Sequence, residues 1–203
     1  MSKAALISIK PKWVEKIAQG KKTIEVRRTA PKEVPFKCYI YMTQGKYKDL
    51  GLYSEGIYQN RMKVIGEFIC DRVYNIEPIF SFYDCYSGYD DSSDSSYFED
   101  YSIDDERLKK TCLTRQELYI YGKEKTLYGW HISDLKIYDK PKELSEFRAY
   151  NFKSMNGTDV CGNYDCKYYQ DSGSYMTPPS CAKNGCRITH PPQSYMFVEE
   201  VEQ

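Results

Sequence analysis

Apolar positions near the start of the chain change from a strand pattern to a helix pattern. The apolar run from Ala4 to Ile9 predicts a buried strand, and Pro11 suits the first position of a following helix. The next apolar residues have the i, i+3, i+4 spacing of one buried helical face: Val14, Ile17 and Ala18. Gly20 is a typical left-handed stop, so we predict one short helix that ends there.

Alternation returns immediately after this glycine. In the stretch 21–28, Ile24 and Val26 share one face of a predicted strand, while Thr23, Glu25 and Arg27 share the other. Such a concentration of charged groups directly after a tight turn favours a site over a core. Ion pairs with neighbouring strands would produce the same pattern without any ligand.

Later segments add further strands and one capped helix. Alternating or apolar runs predict strands at 37–43, 63–73, 127–132, 135–138 and 195–199. Thr114 and Glu117 have the spacing of a capping box, which predicts a helix from Arg115 to about Tyr121. The acidic stretch 83–105 is expected to be a solvated loop. We therefore predict a mainly β fold with peripheral helices (α+β), built as a small antiparallel barrel.

Composition narrows the class of protein. The 203 residues include 29 basic and 29 acidic side chains, so nucleic-acid binding would need a local basic patch. The 21 tyrosines suit half-buried strands and surfaces that stack flat ligands. No segment has the pattern of a signal peptide or membrane span, which predicts a cytoplasmic protein with no membrane partner. Its cysteines are then expected to be reduced unless a metal binds them.

A family motif lies within the first 28 residues. The order of strand, Lys-Pro, helix and then Gly20-x-Lys22-x-x-Glu25-x-Arg27 resembles the ASCH domain of the PUA-like superfamily. The resemblance covers Ala4 to about Tyr138 and the last strand. It implies a PUA-like barrel over residues 1–150 plus 191–203, in a bacterial or phage protein, with residues 151–190 as a cysteine-rich insertion.

The resemblance also implies binding of RNA or a modified nucleotide in a cleft beside the first helix. Some members are similar to hydrolases that act on acylated cytidine, and others to ribonucleases. The hydrolase-like members have a lysine where Lys22 stands but a threonine in place of Glu25. This difference favours the binding form of the motif over deacylation.

The residue types fit a nucleotide ligand. Lysine and arginine donate to phosphate, Glu25 can accept from a base edge or activate a water, and a tyrosine can stack on a base. The predicted binding residues are Ser8, Lys10, Lys22, Glu25, Arg27 and Tyr41. If the protein is an enzyme, Lys22 and Glu25 are its predicted catalytic pair, in a small hydrolase or ribonuclease. A third alternative is a phage or mobile-element protein that binds a host protein.

Two cysteine pairs of equal spacing lie in the insertion. Cys161 and Cys166, followed by Cys181 and Cys186, predict a structural zinc ion held by four thiolates. His190 is an alternative ligand, and two disulfides or four reduced thiols are the other interpretations. The other histidine, His131, lies in a predicted strand and is interpreted as a half-buried structural residue.

Overall fold

The computed structural model describes residues 3–45, 59–82, 96–150 and 186–201, together with residues 165, 169–170, 173 and 180–181. Within these residues the strands are β1 Lys3–Ile9, β2 Ile24–Arg27, β3 Phe36–Met42, β4 Val64–Cys70, β5 Val73–Ile76, β6 Pro78–Phe82, β7 Ser96–Tyr101, β8 Leu127–His131, β9 Ser133–Lys142, β10 Tyr169–Gln170, β11 Ser180–Cys181 and β12 Tyr195–Glu199. The α-helices are α1 Pro11–Ala18, α2 Asp105–Thr111 and α3 Arg115–Gly122, and a 3-10 helix spans Leu144–Glu146.

The chain divides into two units, each made of separate stretches. Unit 1 contains Met1–Ala18, Phe36–Ile69 and Asp134–Gln203, and unit 2 contains Gln19–Pro35 and Cys70–Ser133. The protein is mainly β, as predicted. The predicted boundaries of the barrel and of the 151–190 insertion stay predictions, since most of that insertion lies outside the described residues.

Unit 1 is built on a five-stranded sheet of order β12-β1-β3-β4-β9. β1 pairs with β3 in parallel and with β12 antiparallel, so the sheet is mixed and not purely antiparallel as predicted. The strand order is that of an open sheet, and the described residues do not form a closed barrel. β3 is covered on both faces, since Cys38, Tyr39, Ile40, Tyr41 and Met42 are all at most 3% exposed.

Unit 2 is built on a three-stranded antiparallel sheet of order β2-β8-β5 and a separate β6-β7 hairpin. Its core contains Val26, Ile76, Tyr101, Ile103, Leu118 and Leu127. The predicted strand 63–73 is interrupted at Asp71 and Arg72, after which β5 begins. The predicted loop 83–105 is partly wrong, because Ser96–Tyr101 forms β7 and Tyr101 is only 1% exposed; residues 83–95 lie outside the described residues.

Local signals account for the two helices of unit 2. Thr114 and Glu117 form the predicted capping box, and α3 closes with Lys123 in a left-handed conformation. α2 begins in the same manner, since the side chain of Asp104 accepts the N–H of Arg107. Among the described residues no helix is long and apolar enough to cross a membrane.

Candidate nucleotide-binding site

Three residues of the predicted motif converge in unit 2. Nζ of Lys22 lies 3.2 Å from one carboxylate oxygen of Glu25, and a terminal nitrogen of Arg27 lies 3.1 Å from the other. Lys22, Glu25 and Arg27 are 2%, 7% and 5% exposed. The predicted polar face of β2 is therefore a buried ionic cluster of two cations around one carboxylate.

The backbone of α2 holds Lys22 in place. Nζ of Lys22 donates to the carbonyl oxygens of Thr111, at 2.7 Å, and Ile24, at 2.9 Å. Thr111 is the last residue of α2, where unpaired carbonyls and the helix dipole favour a positive charge. The N–H of Thr23 donates to the carbonyl of Lys110 in the same turn. An ammonium group has three donors, and all three have acceptors here.

The neighbours of the cluster are Arg28, which is exposed, and Tyr121, which is half-buried. The guanidinium of Arg28 donates to the carbonyl oxygen of Tyr121 and lies over its ring, 4.9 Å from the centroid. Burial raises the pKa of Tyr121, while the charges of Arg27 and Glu25 act on it in opposite directions. Nothing in the sequence places Arg28 next to α3.

The other three predicted binding residues belong to unit 1. The hydroxyl of Ser8 donates to the carbonyl oxygen of Pro192 at 2.6 Å, and the carbonyl oxygen of Lys10 accepts the first N–H groups of α1. Tyr41 is 3% exposed within the hydrophobic core that also contains Tyr39 and Phe147, and burial raises its pKa. The structure thus brings Lys22, Glu25 and Arg27 together, and a ligand role for Ser8, Lys10 and Tyr41 stays a prediction.

The proposed zinc ligands are only partly within the described residues. Cys161 and Cys166 lie outside them, while Cys181 pairs with Tyr169 in the β10-β11 ladder. Cys186 is buried, and its carbonyl oxygen accepts the N–H of Ala149. No group of three or more metal-ligating side chains occurs within the described part of the chain, so the zinc site stays a prediction.

A second pair of ionisable side chains was missed by sequence interpretation. Nδ1 of His131, at the end of β8, lies 2.5 Å from a carboxylate oxygen of Asp71, in the break between β4 and β5. This hydrogen bond is the main reason why the pKa of Asp71 is lowered. The available signal was the Asp-Arg pair inside the apolar stretch 63–73, where the two polar residues interrupt the pattern.

No family model matches the chain, and no curated protein matches it. Among solved structures, it is similar to the ASCH protein of Zymomonas mobilis, with 18% identity and a TM-score of 0.42 over 70% of this chain and 73% of that chain. A tyrosine-to-phenylalanine variant of the same protein matches with 17% identity and a TM-score of 0.41, over 70% of this chain and 76% of that one. ASCH is also the family whose motif residues 20–27 resemble.

Proposed function

We propose that the protein is an RNA- or modified-nucleotide-binding module whose nucleotide site is built on Lys22, Glu25 and Arg27. The observation that carries the proposal is the charge of this buried cluster. Two cations surround one carboxylate at 3.1 and 3.2 Å, and all three side chains are less than 10% exposed.

Two of the three charges in the cluster are positive, which suits an anionic ligand. A phosphate that contacts Arg27 would form charge-assisted hydrogen bonds, which are stronger than neutral ones. Arg27 is the better suited cation, because a guanidinium binds phosphate with two parallel hydrogen bonds.

Lys22, Glu25 and Arg27 differ in the ligand contacts that they can make in addition to their contacts within the protein. Lys22 has acceptors for all three of its donors, so it positions Glu25 and holds the end of α2. Glu25 has two oxygens, which together can accept about four hydrogen bonds. A base edge that donates to this carboxylate would complete the site together with Arg27.

The exposed guanidinium of Arg28, which lies over the half-buried Tyr121 ring at 4.9 Å from its centroid, supplies the surface that a nucleotide meets first. Stacking of a base on such a pair contributes about 1–3 kcal/mol per base and tolerates any base. The buried cluster then reads the nucleotide, and Arg28 captures it.

The test is fluorescence anisotropy with a labelled single-stranded RNA and with nucleoside monophosphates as competitors. Arg27→Lys keeps the positive charge but cannot form the two parallel hydrogen bonds of a guanidinium, and we expect it to weaken binding about tenfold. Arg28→Ala is expected to weaken binding severalfold and to reduce the dependence on salt concentration. Lys125→Ala, at an exposed position of the same unit, is the matched control.

Two outcomes would contradict this function. One is a wild-type protein that retains neither RNA nor nucleotides at low salt. The other is an Arg27→Lys variant that is folded by circular dichroism and binds as tightly as the wild type.

The geometry favours binding over hydrolysis by Lys22 and Glu25. A catalytic lysine must present its amine to the substrate, whereas Nζ of Lys22 is directed to three protein acceptors. Nuclease and deacylase assays on the wild type and on Lys22→Ala decide between the two functions, with loss of a measured activity supporting the enzyme. A host protein partner stays a prediction, which a pull-down from a bacterial lysate addresses.

The second part of the proposal concerns the cysteine-rich segment. There we propose a structural zinc ion held by Cys161, Cys166, Cys181 and Cys186. Four thiolates complete the tetrahedral coordination of zinc and leave no position for a water. We expect metal analysis of the purified protein to give about one zinc per chain, and Cys166→Ser to lose it. A protein that contains no zinc after expression with added zinc would contradict this part.

A further inference from the structure

A second cluster of polar side chains lies on the other face of the three-stranded sheet. In the β2–β8 ladder His131 is opposite Ile24, whereas Glu25 is opposite Trp130. Residues directly opposite each other share a face, and successive residues alternate. His131 is therefore on the face away from Glu25 and Arg27, and its surroundings can be tested separately from the nucleotide site.

Asp71 determines the protonation of the His131 ring. The pKa of this carboxyl is lowered, chiefly by its hydrogen bond to the imidazole, so it is ionised at neutral pH and can only accept. Nδ1 of His131, 2.5 Å away, must then carry the proton. In the neutral ring the lone pair is on Nε2, which is the arrangement that a carboxylate imposes on a histidine acting as a base.

Two arginines and a tyrosine lie beside this dyad. A hydrogen bond to Tyr74 is the main reason why the pKa of Arg72 is raised, and the guanidinium of Arg107 lies 4.9 Å from the Tyr74 ring centroid. The Tyr74 ring itself meets the His131 ring edge-on, with 6.4 Å between the centroids. Asp104 pairs with Arg107 at 3.3 Å. Arg72 pairs with the second carboxylate oxygen of Asp71 at 3.4 Å, and its side chain remains 60% exposed.

Gly129 lies opposite Tyr74 in the β5–β8 ladder. A Cβ at this position would be in ordinary contact with Cβ of Tyr74, at 3.5 Å, but would clash with a methyl carbon of Ile24, at 2.9 Å. Glycine at 129 therefore allows Ile24 to pack closely against β8. The dyad is partly open to solvent, with His131 26% and Asp71 33% exposed in their side chains.

We propose that Asp71, Arg72 and His131, with Tyr74 and Arg107 beside them, form a second binding site that takes the phosphate group of a small phosphate ester. Arg72 holds the phosphate oxygens, because an exposed guanidinium suits their geometry. Nε2 of the neutral His131 ring accepts a hydrogen bond from a hydroxyl or water next to the bound phosphate, and Asp71 keeps the ring in this tautomer.

Nuclear magnetic resonance of the two histidines tests the proposal. The chain has only His131 and His190, so each ring can be assigned by substitution of the other. We expect nitrogen shifts that place the proton of neutral His131 on Nδ1, and a mixture of tautomers in Asp71→Asn. Phenyl phosphate and inorganic phosphate should shift the His131 signals saturably, while His190 stays as an internal control.

Two variants test whether phenyl phosphate binding depends on Arg72. Arg72→Gln should weaken phenyl phosphate binding about tenfold, and Lys109→Gln, exposed on the same unit, should not change it. The proposal fails if His131 carries its proton on Nε2 in the wild type, or if phosphate leaves its signals unchanged. Equal binding of benzoate would also overturn it, since the site would then not select phosphate.

Discussion

Nζ of Lys22 lies 2.7 Å from the carbonyl oxygen of Thr111, a residue 89 positions further along the chain. The ammonium group thereby caps the C-terminal end of α2 and at the same time neutralises Glu25. One side chain thus connects the strand after α1 to a helix that the sequence pattern did not predict. Its removal should affect the stability of unit 2 before it affects any ligand.

Replacing Lys22 with methionine keeps the apolar stem and removes the charge. We expect the free energy of unfolding to fall by about 3–5 kcal/mol, because the Glu25 carboxylate and the Thr111 carbonyl stay buried without their donor. Urea denaturation followed by circular dichroism measures the change. Lys21→Met, at the exposed neighbouring position, is the control and should be within about 0.5 kcal/mol of the wild type.

Lys123 closes α3 in a left-handed conformation, with φ 52° and ψ 53°. Glycine adopts this conformation without steric cost, so Lys123→Gly should raise the free energy of unfolding by about 0.5–1 kcal/mol. The same change at Lys125, which is not among the left-handed residues, should have no stabilising effect. Thermal denaturation of the two variants compares them, and a less stable Lys123→Gly protein would show that this lysine has another role.

The thiols of unit 2 should react at very different rates. Burial, and next the carboxylate of Asp71, raise the pKa of Cys70 to about 12, while Cys112 is half-buried. Because the thiolate is the reactive form, iodoacetamide at neutral pH should modify Cys112 much faster than Cys70 in the native protein. Mass spectrometry of tryptic peptides measures both rates, which should become similar in urea. Equal rates in the native state would contradict the burial of Cys70.

The Asp71–His131 pair makes a contribution to the free energy of unfolding that depends on pH. The pKa of Asp71 is lower in the folded chain than its ordinary value of 3.8, so its contribution is present above that pH and is lost as pH falls through the folded value. We expect the difference in unfolding free energy between the wild type and Asp71→Asn to shrink between about pH 5 and about pH 3. A difference that stays constant over this range would show that the pair is not ionic in the folded state.

Local sequence signals were sufficient to predict the helices and strands that are determined by a capping residue or by the spacing of apolar residues. α1 begins at Pro11 as predicted, α3 begins after the Thr114 cap, and β12 has the predicted bounds Tyr195–Glu199. Each depends on interactions within one turn or one ladder, which residue types express directly. Ala18 is the exception, because it was predicted to lie on the buried face of α1 but is exposed at the end of that helix.

Long-range contacts account for what sequence interpretation missed. The motif identified Lys22, Glu25 and Arg27 but not their burial, because no pattern in the sequence predicted α2, the helix that receives Lys22. The pairing of His131 with Asp71 joins residues 60 positions apart across the β5–β8 ladder. Alternation predicted the two faces of β3 but not that both are buried, which is possible for a strand between two others.

The position of β1 between β3 and β12 has a consequence for synthesis of the protein on the ribosome. β1 is made first, yet one of its two edges stays open until residues 195–199 have left the ribosome tunnel. Such a high sequence separation slows folding and exposes a strand edge during translation. In a cell, this edge is where a chaperone would be expected to bind the nascent chain.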